Sequence, residues 1–165
     1  MKSPSRSRRP VRRRRPAAAP AARPVPEAIE LRPEDFAIRR ILVPVDFSAF
    51  ARRAVRHAIP FANAFGARLL LLHVAPEGTA AATAAAGRRL ARLARQQVPA
   101  EIPADTLVRC GDAFAEIVTA AIAEHDVDLV VVTPHHPVRL PCSPRGRMAE
   151  RLALEAPCPV LVARG

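Results

Sequence analysis

Tryptophan and tyrosine are missing from this 165-residue chain, and aromatic residues make up only 4% of it. A core with so few rings has to be aliphatic, assembled from Ala, Val, Leu and Ile. Half of the residues are hydrophobic, enough to build one. Such a core suits a parallel sheet covered by helices on both faces. Cysteine is scarce as well: Cys110, Cys142 and Cys158 are odd in number and form no C-x-x-C pair. That excludes a disulfide framework and makes a reducing compartment, hence the cytoplasm, the expected location. No run approaches the roughly 18 consecutive apolar residues that a membrane-spanning helix needs. The length is that of one ordinary domain.

Acidic residues are missing from residues 1–26, which carry nine of the chain's 26 lysines and arginines. The remainder holds 17 basic residues against 15 acidic ones, so most of the net charge of +11 sits in the tail. The chain beyond residue 26 is thus nearly neutral at +2, and the basic excess of the tail says little about it. Residues 1–36 are mainly Arg, Pro and Ala, and cannot bury enough apolar surface to offset the entropy of ordering. They are expected to be disordered, with the domain spanning 37–165. Charge alone would let this tail bind nucleic acid or an anionic lipid surface, but it lacks the aromatic side chains that stack on bases. A secretory signal is not expected, because an Ala/Pro mixture stands where the apolar region would be. An organelle transit peptide shares the Arg-rich, acid-poor composition. Against that, Pro4, Pro10, Pro16, Pro20, Pro24 and Pro26 oppose the amphipathic helix it would form.

After residue 36 the pattern alternates between strand and helix. Ile41-Leu42-Val43-Pro44-Val45 is a short apolar run ending in Asp46. Ser48 is a good N-cap for a helix carrying Ala51, Ala54, Val55, Ala58, Phe61, Ala62 and Phe65 at three-to-four spacing. Pro60 is expected to kink it, and Gly66 to close it. Arg68 to Val74 is a second strand, bounded by Gly66, Pro76 and Gly78. Ala80 to Gln97 is a second helix, with Leu90 and Leu93 on one face. Thr106 to Arg109 is a third strand, followed by a Gly111-Asp112 turn. The helix from Ala113 to His125 carries Phe114, Ile117, Val118, Ala121 and Ile122. Asp128 to Val132 is a strand, 134–146 a proline-rich loop, Met148 to Glu155 a helix and Pro159 to Ala163 a last strand. Alternation of this kind means parallel strands joined by right-handed crossovers, an α/β fold. Ligands of such sheets sit beyond the carboxyl ends of the strands. Asp46 and Ser48, Val74 to Glu77, Gly111 and the 133–147 loop are therefore the places to look.

Four stretches together resemble the universal stress protein family: Ile41 to Ser48, Leu71-Leu72-His73-Val74, Gly111 to Val118, and Ala149-Glu150-Arg151 continuing to Ala156 through Val162. Their order and spacing cover about 38–164. The resemblance implies a three-layer, open, five-stranded parallel sheet of order 3-2-1-4-5, Rossmann-like and of the adenine nucleotide alpha hydrolase type, and a dimer. Members that bind ATP carry a signature after the fourth strand: Gly, two residues, Gly, nine residues, Gly, then Ser or Thr. The glycines let the backbone approach the phosphates. At these positions the present chain has Thr133, His136, Gly146 and Arg147, so one of the four is retained. Pro134, Pro137, Pro141 and Pro144 also remove backbone donors from the loop. A vestigial nucleotide site would comprise Pro44, Asp46, Ser48, Val74, Gly111, Thr133, His136, Gly146 and Arg147.

Each candidate has a plainer reading beside it. In nucleotide-binding relatives the residue matching Asp46 contacts the nucleoside, yet a short acid after a strand also caps the turn into a helix. His135, His136 and Cys142 match no common metal-ligand spacing. Arg139, Arg145 and Arg147 either supply an anion site in place of lost backbone amides or are simply solvated. Ser48 has no histidine at a telling spacing, and no nucleophile-and-base pair is legible. The reading is a non-catalytic regulatory module of the stress response, dimeric through Val160, Leu161 and Val162, with no cofactor expected. The alternatives are an ATP- or AMP-binding switch and an accessory protein acting through its tail.

Overall fold

In a computed structural model of the chain, residues 37–76, 78–123, 127–133 and 146–163 are described. Five strands alternate with four helices: β1 (Arg40–Pro44), α1 (Ala49–Phe65), β2 (Arg68–Ala75), α2 (Ala80–Gln97), β3 (Ala104–Cys110), α3 (Ala113–Ala123), β4 (Leu129–Val132), α4 (Gly146–Glu155) and β5 (Val160–Val162). The strands form one sheet of order β3-β2-β1-β4-β5, parallel throughout. This is the Rossmann-like architecture that the sequence implied.

The continuous leucine run in β2 is explained by burial on both faces. Ile41, Val43, Leu69 and Leu71 face one apolar cluster with Ala54, Val55 and Ala58 of α1 and Leu90 and Leu93 of α2. Leu42, Leu70, Leu72 and Val130 face the other, with Ile117 and Ala120 of α3 and Ala149 and Leu152 of α4. Among the described residues no polar or charged side chain is buried. Each large aliphatic side chain so enclosed contributes about 1.5–3 kcal/mol relative to exposure.

The helix ends follow local chemistry. The Ser48 hydroxyl accepts from the Ala51 amide at 3.1 Å, and Gly66 closes α1 at a φ of 63°. Thr79, which the apolar pattern did not single out, caps α2 by accepting from the Ala82 amide at 3.2 Å. Pro60 lies inside α1 without ending it. Its ring is exposed, and five buried residues hold the helix on the sheet.

Boundaries moved where apolar content is a poor guide. β3 begins at Ala104, two residues before the apolar run, because it is an edge strand whose first residues are exposed. α4 begins at Gly146 rather than Met148, and β5 is limited to Val160–Val162. The tail of residues 1–36, Glu77, the expected end of α3 at His125 and the 134–145 loop lie outside the described residues.

Candidate functional site

In this strand order β1 has β2 on one side and β4 on the other, while α1, which follows β1, and α4, which follows β4, lie on opposite faces. A crevice must open where they diverge, beyond the carboxyl ends of β1 and β4. The structure has a cleft of about 240 Å³ there.

Most of its wall is apolar, made by Val45, Leu72, Val132, Ile117 and Met148. Ala51, Ala54, Ala113 and Ala149 line it too, and their small side chains leave the space open. Among the described residues the polar ones on its lining are Asp46 and Thr133. Asp46 Oδ1 accepts from the Ser48 amide at 3.0 Å, forming the turn that delivers the chain into α1. The Thr133 hydroxyl donates to the Phe50 carbonyl at 2.7 Å, tying the end of β4 to the first turn of α1. A hydroxyl whose proton goes to a carbonyl has no base to activate it as a nucleophile.

Behind the Asp46 turn lies a polar and aromatic stack. Phe47 takes the left-handed conformation at a φ of 63°, a strained region for a residue of its size. Its ring sits 4.4 Å from that of His73, with the Arg89 guanidinium 4.1 Å from its centroid. His73 Nδ1 lies 2.7 Å from the Val45 carbonyl. A carbonyl only accepts, so this nitrogen carries the proton. No pattern in the sequence announced the grouping, because its members come from a turn, a strand and a helix far apart in the chain.

Of the residues singled out in the sequence, Pro44, Asp46, Val74 and Thr133 line the cleft. Ser48 caps α1 beside it. Gly111, at a φ of 138°, donates its amide to Ala75 at 3.0 Å and does not line it. Gly146 and Arg147 form the start of α4, which brings Met148 and Ala149 to the wall. His136 lies outside the described residues, as do His135, Cys142, Arg139 and Arg145. Among the described residues no three His, Cys, Asp or Glu side chains cluster as metal ligands would.

Cys158 and Asp128 belong to the other end of the sheet, just before β5 and β4. Burial pushes the Cys158 thiol above its usual range, and the nearby Asp128 carboxylate adds to the effect. Asp128 Oδ2 itself accepts from the Arg39 and Arg40 amides at 2.7 and 3.0 Å, fixing the entry to β1.

The model of the universal stress protein family matches residues 37–164. Among solved structures, the chain is similar to the universal stress protein UspA from Lactobacillus plantarum, with 26% identity and a TM-score of 0.64 over 78% of this chain and 99% of that one. It is similar to a universal stress protein from Archaeoglobus fulgidus in complex with dAMP, with 25% identity and a TM-score of 0.55 over 77% and 98%. A universal stress protein in complex with cAMP shares the fold, at 24% identity and a TM-score of 0.60 over 78% and 98%. A search of curated proteins finds no significant match.

Proposed function

Because the chain belongs to the universal stress protein family, we propose that it acts as a dimeric, non-catalytic regulatory module whose cleft keeps the nucleoside end of a nucleotide site and has lost the triphosphate end. The observation that carries this reading is the lining of the cleft. Its apolar walls suit a flat base, and Asp46 on the lining is a carboxylate of the kind that accepts from ribose hydroxyls. On the phosphate side Gly146 alone of the four signature positions keeps its residue. Thr133 stands in place of a signature glycine, and its hydroxyl donates to Phe50. The sequence from 134 to 144 adds four prolines where a phosphate cradle needs amide donors.

Two relatives solved with dAMP and cAMP support adenosine monophosphates as the ligand scale. The dimer would form through β5. Among the described residues this edge strand pairs only with β4, Val162 is 36% exposed and Leu154 on the adjoining α4 is 85% exposed. Pairing two copies about a two-fold axis covers both apolar edges with one patch.

Calorimetric titration with adenosine, AMP, cAMP and Mg-ATP tests the reading. AMP and ATP should bind with similar, weak affinity, since the phosphates beyond the first find no cradle. ATP binding tenfold tighter than AMP, a gain of about 1.4 kcal/mol, would overturn it. So would ATP turnover that Asp46→Asn abolishes.

A further inference from the structure

Residues 37–165 carry 16 basic and 11 acidic side chains, a net charge of +5, and that sum conceals a strong asymmetry. α1 and α2 carry seven arginines between them and no carboxylate. α3 and α4 carry three glutamates against two arginines. The first pair covers one face of the sheet and the second pair the other, so among the described residues the α1/α2 face is the basic one.

Six of those arginines, Arg52, Arg56, Arg88, Arg89, Arg92 and Arg95, are exposed. Among the described residues none of them has a carboxylate within ion-pair distance. Arg52, Arg89 and Arg92 converge with Phe47, Gln96 and Gln97 around a second cleft of about 190 Å³ between the start of α1 and the outer side of α2. Phe47 holds the Arg89 guanidinium in place. Unpaired like charges at this density repel one another, a cost that an anionic partner would relieve.

The geometry points to the partner: we propose that the α1/α2 face binds the phosphate backbone of a nucleic-acid duplex without reading its bases. The charges are guanidiniums, whose planar fork matches phosphate oxygens two at a time. From Arg88 to Arg95 the array runs about 10 Å along α2 at 1.5 Å per residue, the length of about three phosphates on one strand. A bilayer surface is a poorer fit. Helices that lie in a membrane present a row of large apolar side chains to it, whereas Val55 of α1 and Leu90 and Leu93 of α2 are buried in the core and the exposed large apolar residue of the pair is Phe65, at the far end of α1 from Arg52. A single strand is poorer too, because the Phe47 ring is already in contact with His73 and Arg89 and is not a free ring for bases to stack on. This inference is independent of what the main cleft binds.

The test uses the full-length chain and fluorescence anisotropy with a labelled DNA duplex of mixed sequence, across a salt series. Arg88→Gln, Arg92→Gln and Arg95→Gln are combined in one variant. Among the described residues none of these side chains has an ion-pair partner, so its melting temperature should match the parent's. The slope of log affinity against log salt should become shallower by two to three, about 0.9 for each phosphate no longer neutralised. A second variant on the other helix, Arg52→Gln with Arg56→Gln, should become shallower by about two on the same scale. A tail variant with Arg12, Arg13, Arg14 and Arg15 changed to Gln reports the tail's own share and should add to either. If both helix variants keep the parent's slope, the face does not touch the duplex and the proposal fails. It also fails if the duplex does not bind while phosphatidylserine vesicles capture the chain through these arginines.

Discussion

The hydroxyl of Thr133, the first residue after β4, donates to the carbonyl of Phe50 in the first turn of α1 at 2.7 Å. One side chain thereby ties together two elements that line the cleft. Thr133→Val keeps the shape and removes the donor. It should lower unfolding free energy by about 1 kcal/mol, read from urea denaturation with an unchanged slope. A variant as stable as the parent would show that the bond contributes nothing.

Gly111 ends β3 at a φ of 138°, a conformation that side chains rarely adopt. A Cβ there would also stand 3.3 Å from Glu116 Oε1, a flexible neighbour that can move. The backbone therefore decides the outcome. Gly111→Ala should destabilise the fold by about 1 kcal/mol or more, and Glu116→Ala in the same chain should not rescue it. Rescue by the second change would locate the cost in the side chain instead.

Val162 and Leu161 separate two effects at the edge strand. Leu161 packs against the core cluster under α1 and α2, so Leu161→Lys should lower the melting temperature. Val162 is 36% exposed, so Val162→Lys should leave the melting temperature in place and halve the mass seen by light scattering. A parent that already has the mass of one chain would remove β5 as the interface.

Cys158 is held protonated by burial first and by Asp128 second, whereas Cys110 is exposed. Variants with a single cysteine should differ accordingly. A disulfide reagent at mild alkaline pH should modify the Cys110-only chain much faster than the Cys158-only chain. Asp128→Asn should narrow the gap in part. The sign for stability follows from the raised folded value. The contribution is whole below the ordinary thiol range and is lost as pH rises through the raised value. Unfolding free energy of the Cys158-only chain should therefore fall at high pH, and equal labelling rates for the two thiols would contradict the assignment.

The layers of this fold could be read from periodicity because each strand is an apolar run and each helix an apolar stripe. α2 is bounded where its pattern begins and ends, and Ser48 and Gly66 cap α1 as their chemistry requires. Misplaced limits occur where burial stops being the signal. The first residues of β3 are exposed at the sheet edge, so apolar content cannot mark them. Phe47 in the left-handed region carries no sequence mark either. The turn holds it there together with His73 and Arg89, neighbours that no local propensity contains. Pro44, Asp46, Val74 and Thr133 could be placed at the cleft because residues after parallel strands must gather at one end of the sheet. The alanines of its wall could not, since a small residue on a helix reads the same inside a core and beside a cavity.

The sequence by itself determined the class of fold, the aliphatic core and the altered residues at the phosphate positions, because all three depend on residue type and spacing along the chain. It also determined a net charge, and that sum misled, since it has no direction. Only the tertiary structure decided where the charge goes. From β1 the chain steps outward to β2 and β3, then returns past β1 to β4 and β5. Right-handed crossovers running in opposite directions must place their helices on opposite faces. α1 and α2, rich in arginine and free of carboxylates, are thereby brought to one face, and the glutamates of α3 and α4 to the other.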